Sequence, residues 1–280
     1  MQVLALLLAE SMASLSEGGA KAMREQRFAD AEQAYRLLVQ REPANPMWRM
    51  NLGLALHSRG MYSEALREFE FFLKVKPVPG PIHFMAGLAR LKLGQACEAI
   101  APLEKARAWN AEKSLVELAD AYGGCARNEM AARTYEAALA AKAGDKQLAR
   151  QAAHYYWLAR LYPEAKRLMD SIAKGWDSDP EFNYEYGDTL VRSVGPEEGL
   201  PHLLKAVEAA PDRLAARAEA GKALLAIGRA EDAIPHLEAA APLDASLLLP
   251  LSRAYRTVGR TADADRTQAE YRRKFSTSSQ

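Results

Sequence analysis

The same residue types return every 34 positions along this chain, and that interval constrains the fold more than any other feature of the sequence. Pro43 and Pro77 are 34 apart, as are Gly53 and Gly87, Gly60 and Gly94, Ala31 and Ala65, Ala65 and Ala99, Tyr122 and Tyr156, Ala131 and Ala165, and Gly187 and Gly221. Residues 46–79 show the unit most clearly, with Leu52, Gly53, Leu56, Gly60, Tyr62, Ala65, Phe69, Phe72 and Pro77 in order. Leu52 and Leu56 share one face of a first helix, and Gly60 ends that helix by supplying a left-handed position. Ala65, Phe69, Phe72 and Leu73 recur at helical spacing on a second helix, which Pro77 stops. Gly53 and Ala65, with almost no side chain, let the two helices approach closely.

This order of Leu-Gly, Gly, Tyr, Ala, aromatic and Pro resembles the tetratricopeptide repeat family. The resemblance implies an all-α fold, a right-handed superhelical solenoid of about eight helix-turn-helix repeats. Placed by this pattern, the repeats fall near 12–45, 46–79, 80–113, 112–145, 146–179, 180–213, 214–244 and 245–278, after an N-terminal segment 1–11 and before a tail, 279–280. Gly18 and Gly19 sit inside the first helix and make it the least secure. Gly228 and Gly259 are only 31 apart, so the second helix of the seventh repeat should end early, near Pro242. Pro201 and Pro235 are expected within a turn of their helix starts, where a missing N–H costs least. The charged helix over 262–274 suits an end cap with no following repeat.

The 37 Lys and Arg balance 36 Asp and Glu, leaving no field to attract nucleic acid or an anionic membrane. Cys97 and Cys125 cannot by themselves build a zinc site and read as small, buried or half-buried apolar residues; a disulfide between them would need their Cα atoms to come close. The apolar run over 3–9 is too short to span a bilayer. A cytoplasmic location is expected, with export to the periplasm as the alternative if residues 1–13 act as a signal peptide. No phosphate loop, HExxH or GxSxG occurs, so no enzyme, cofactor or metal site is expected. His202 and His236, 34 apart, invite a shared metal, but each follows a proline and is read as hydrogen-bonding locally.

The expected function is that of a protein-protein interaction scaffold. In a solenoid the first helix of each repeat lines the concave wall, and the resemblance implies which of its positions face a partner. In the second and third repeats these are Met47, Met50, Leu54, His57, Phe84, Leu88 and Leu91, an apolar strip suited to a protein or peptide with an apolar segment. Farther along they are Lys113, Asp120, Arg150, His154, Trp157, Tyr184 and Asp188, where Arg150, Trp157 and Tyr184 are the anchor types. Lys222, Arg253 and Arg256 then make the wall basic, ready for an acidic segment or a free carboxylate. The alternative is a self-assembling scaffold in which residues 1–11 fill the groove of the same or another copy. The family's clamp for chaperone tails is absent: Asn51 stands alone, with Ser16, Ala20, Pro81 and Met85 at the flanking places.

Overall fold

The structure is a computed structural model describing residues 11–74 and 79–276. Residues 3–9, Pro77, the side chain of Phe72 and the tail beyond 276 lie outside the described residues. Among the described residues the chain is helical throughout, with no strand. Sixteen α-helices follow one another as eight helix-turn-helix pairs: α1 (Met12–Arg24) with α2 (Phe28–Arg41), α3 (Pro46–Ser58) with α4 (Tyr62–Leu73), α5 (Gly80–Lys92) with α6 (Ala96–Trp109), and α7 (Ala111–Gly124) with α8 (Asn128–Ala141). The second four pairs are α9 (Lys146–Leu158) with α10 (Tyr162–Ile172), α11 (Pro180–Ser193) with α12 (Pro196–Ala209), α13 (Leu214–Ala226) with α14 (Ala230–Ala240), and α15 (Leu248–Thr257) with α16 (Thr261–Ser276). They form two compact units, Met1–Ala143 and Gly144–Gln280. Within each unit every helix packs on the next, and the first helices of successive pairs touch one another from α3 to α7 and from α9 to α15.

On five of the first helices a glycine faces a large side chain sixteen positions later. A Cβ on Gly53 would lie 2.6 Å from the Phe69 ring, on Gly87 2.5 Å from Leu103 Cγ, and on Gly221 2.8 Å from Leu237 Cγ. Gly19 obeys the same rule, 3.0 Å from Tyr35 Cζ, so the glycine expected to weaken α1 is a packing position; Gly18 beside it meets nothing within 4 Å. α1 is further secured by Ser11, whose side chain accepts from the Ser14 N–H. Phe69, Leu103, Leu203 and Leu237 are wholly buried, each contributing about 1.5–3 kcal/mol of apolar burial. In the last pair Ser252 and Gln268 take these two positions, and Ser252 Oγ donates to the Ala264 carbonyl at 2.9 Å.

Gly60, Gly94, Gly228 and Gly259 adopt φ of +77°, +73°, +82° and +79° just after their first helices, the left-handed turn the spacing anticipates. α14 ends at Ala240, eleven residues long, as the shortened spacing requires. The prolines differ from expectation. α12 begins at Pro196 and α14 at Ala230, so Pro201 and Pro235 are each the sixth residue and forgo a real intrahelical bond. Pro102 does the same in α6, and there the Arg90 guanidinium reaches the orphaned Glu98 carbonyl at 3.4 Å.

Candidate partner-binding surface

In the first unit the expected apolar strip is mostly engaged. Met50 and Leu54 pack against the core, and His57, Phe84, Leu88 and Leu91 are half-buried; Met47 alone of these is more than half exposed, at 51%. The His57 ring meets Tyr62 edge-on at 5.1 Å, and burial, with Lys92 nearby, holds its pKa below the usual imidazole value. Phe84 lies 6.5 Å from the Trp109 ring.

In the second unit, helical spacing aligns the remaining candidates. Asp145 caps α9 by accepting from the Gln147 and Leu148 N–H groups, and Asp179 caps α11 by accepting from Phe182. Along α9, Arg150, His154 and Trp157 stand at intervals of four and three, hence on one face; along α11, Glu181, Glu185 and Asp188 do likewise. The two faces interlock. Arg150 Nη1 donates to Glu185 Oε2 at 2.7 Å, His154 Nδ1 lies 2.7 Å from Glu185 Oε1, and Trp157 Nε1 donates to Asp188 Oδ2 at 2.8 Å. Glu185 is wholly buried, and Arg150 and Asp188 are 8% and 5% exposed. Arg192 adds a 2.9 Å bond to Asp188 Oδ1 and approaches Glu219, which also binds Lys222.

Aromatic rings complete this surface. Trp157 and Tyr184 meet edge to face at 5.8 Å. The Arg213 guanidinium lies 4.4 Å from the Tyr184 ring centre while pairing with Glu181, whose pKa it lowers. Burial first, then the carboxylate of Asp188, pushes the Tyr184 hydroxyl up to about 12. A cavity of about 310 Å³ opens here, lined by Trp157, Tyr162, Tyr184, Asp188, Arg192 and Glu219.

Arg150, His154, Trp157, Tyr184 and Asp188, singled out in the sequence, therefore converge, but Arg150 and Asp188 are occupied by ion pairs and bonds. Glu185, Arg192 and Glu219 were missed. Glu185 is 31 and 35 positions from its partners, beyond any local pattern. The signal available was two cationic types, Arg150 and His154, on one face that packs on the next first helix and so needs a carboxylate.

Two other expectations are corrected. Cys97 and Cys125 form a disulfide with Cα atoms 4.9 Å apart, and Cys97 is exposed; the short turns of two neighbouring repeats bring them together. His202 does not bond locally: its Nδ1 lies 3.0 Å from Asn183 Oδ1 on α11. The Asn183 amide donates to the Asp177 and Asp179 carbonyls, which turns its oxygen to His202 and makes Nδ1 the protonated, donating nitrogen. His236 Nδ1 is buried with no hydrogen-bond partner among the described residues. No group of three metal-ligating side chains comes together, and no helix is long and apolar enough to cross a membrane, among the described residues.

The family model for the tetratricopeptide repeat matches residues 21–70 and 184–247. Over those residues the chain carries tetratricopeptide repeats. Its fold resembles that of a tetratricopeptide repeat protein from Parabacteroides merdae, 16% identical over 88% of this chain and 99% of that one, with a TM-score of 0.51. The C-terminal part of a repeat protein from Cytophaga hutchinsonii is 16% identical over 80% of this chain and 94% of its own, with a TM-score of 0.58. The structure of Naa15/Naa10 bound to HypK matches 94% of this repeat protein but only 42% of its own chain, at 16% identity and a TM-score of 0.60. These likenesses concern the fold. No curated protein matches the chain in sequence.

Proposed function

We propose that this tetratricopeptide repeat protein is a non-catalytic scaffold that binds a protein or peptide on the face formed by its first helices, centred on α9, α11 and α13. Repeats of this family generally serve protein-protein interaction, and what supports this particular surface is the Trp157–Tyr184 pair beside an open cavity. Both rings are half-buried and held from behind, Trp157 by Asp188 and Tyr184 by Arg213. Rigid aromatic side chains bind with little further loss of conformational freedom, which is why such residues dominate interface energetics. The first unit carries its own apolar side chains on its first helices, Met47 and Phe84.

Affinity capture with the wild-type chain, with Trp157→Ala plus Tyr184→Ala, and with Phe84→Ala tests this reading. Partners held by the wild type should be lost from the double variant while its circular dichroism remains helical. Equal recovery of every partner by all three proteins would sink the proposal.

A further inference from the structure

The last two repeats hold a second and larger opening, about 860 Å³, between α13, α15 and α16. Three cations line it: Lys222 from α13, and Arg253 and Arg256 from α15. No carboxylate does. Leu225, Leu249 and Pro250, all half-buried, form its apolar wall. Gln268 also lines the opening, at the position that Phe69, Leu103, Leu203 and Leu237 fill with apolar bulk in other pairs.

The charges inside are only partly neutralised by the protein. Lys222 binds Glu219, which Arg192 also approaches at 3.7 Å. Arg256 Nη2 divides itself between Asp265 Oδ1 at 2.9 Å and Gln268 Oε1 at 3.2 Å, with the Asp265 side chain 74% exposed. Arg253 is exposed, and its guanidinium has no ion-pair or hydrogen-bond partner among the described residues. Arg253 and Arg256 are three apart on one helix, neighbours of like charge, an arrangement that disfavours the unliganded helix and is relieved by an anion between them.

We propose that this opening binds an acidic peptide segment, its carboxylates on Arg253, Arg256 and Lys222 and an apolar side chain against Leu225, Leu249 and Pro250. This rests on the scaffold reading and extends it by naming the partner's chemistry. Guanidinium groups take carboxylates through paired, directional hydrogen bonds. A nucleic acid fits less well: no aromatic ring lines the opening to stack on a base, and Glu219 and Asp265 flank it.

Fluorescence anisotropy on the full chain tests the idea, using a fluorescein-labelled peptide of alternating glutamate and leucine, its glutamine-leucine counterpart, and a single-stranded oligothymidylate of equal charge. The glutamate peptide should bind about tenfold tighter than the glutamine one, weaken as salt rises, and lose about tenfold in affinity with Arg253→Glu. The Arg253 side chain makes no ion pair or hydrogen bond among the described residues, so this variant should melt at the wild-type temperature. Glutamate and glutamine peptides binding alike, Arg253→Glu within twofold of wild type, or tighter binding of the oligonucleotide would each overturn the proposal. The two readings fail separately. Loss of captured partners with Trp157→Ala plus Tyr184→Ala, alongside peptide binding indifferent to Arg253→Glu, leaves the scaffold reading standing without the acidic site. A double variant that keeps every partner removes the scaffold reading whatever the peptide does.

Discussion

Arg150 and Glu185 are joined at 2.7 Å across two neighbouring repeats, and neither reaches solvent to any extent, at 8% and 0% exposure. A buried pair of this kind is costly to break from one side, because the remaining charge stays where water cannot reach it. Arg150→Ala, or Glu185→Ala, should lower stability by about 3–5 kcal/mol, read from urea unfolding. Arg150→Met with Glu185→Leu should be far less damaging than the sum of the single changes. Additive losses would show that the two residues act independently.

In the second unit α11 and α12 come close together at Gly187 and Gly199. A Cβ on Gly199 would fall 2.4 Å from the Gly187 carbonyl oxygen and 2.8 Å from the Val191 nitrogen, both backbone atoms that cannot rotate away. Gly199→Ala should therefore cost about 1–3 kcal/mol. Gly18→Ala, with nothing within 4 Å, should instead stabilise by about 0.5–1 kcal/mol through helix propensity. Thermal melts of the two variants should move in opposite directions.

His202 links stability to pH. Burial lowers its pKa, Lys205 lowers it further, and Asp177 opposes them; His57, His83 and His236 shift in the same direction. A histidine depressed in the folded state favours unfolding when protonated, so its contribution is complete above about pH 6.5 and is lost as the pH falls below that value. Unfolding free energy should decline between about pH 7.5 and pH 5.5, and less steeply in His202→Gln, whose amide can still donate to Asn183. A decline of the same steepness in that variant would assign the effect elsewhere.

The disulfide closes a loop over a sequence separation of 28 residues. Its constraint on the unfolded chain contributes about 3 kcal/mol. Adding reductant should lower the melting temperature of the wild type and leave Cys97→Ser, already lowered, unchanged; a wild type indifferent to reductant contradicts this.

The repeat was legible because its determinants are local and periodic. Gly53 and Phe69, or Gly60 with its left-handed turn, follow from sterics within one pair of helices. Even the early end of α14 followed from a spacing of 31 in place of 34. The identity of α1, α9 and α11 as first helices, and hence the candidates Arg150, His154, Trp157, Tyr184 and Asp188, came from the same periodicity.

What the sequence could not disclose is how side chains of successive repeats divide among themselves. Glu185 takes Arg150 and His154, and Asn183 takes His202, over separations of 19 to 35 residues. Cys97 finds Cys125 over 28, and Met50 and Leu54 turn partly into the core. By itself the sequence determined an array of paired helices, with their turns, small contact positions and polar end. Tertiary structure alone decided which polar groups are consumed inside the fold and which, like Arg253, remain available. Helical periodicity assigns a face to every residue, but only the packed neighbour determines whether that face meets a partner within the chain or water.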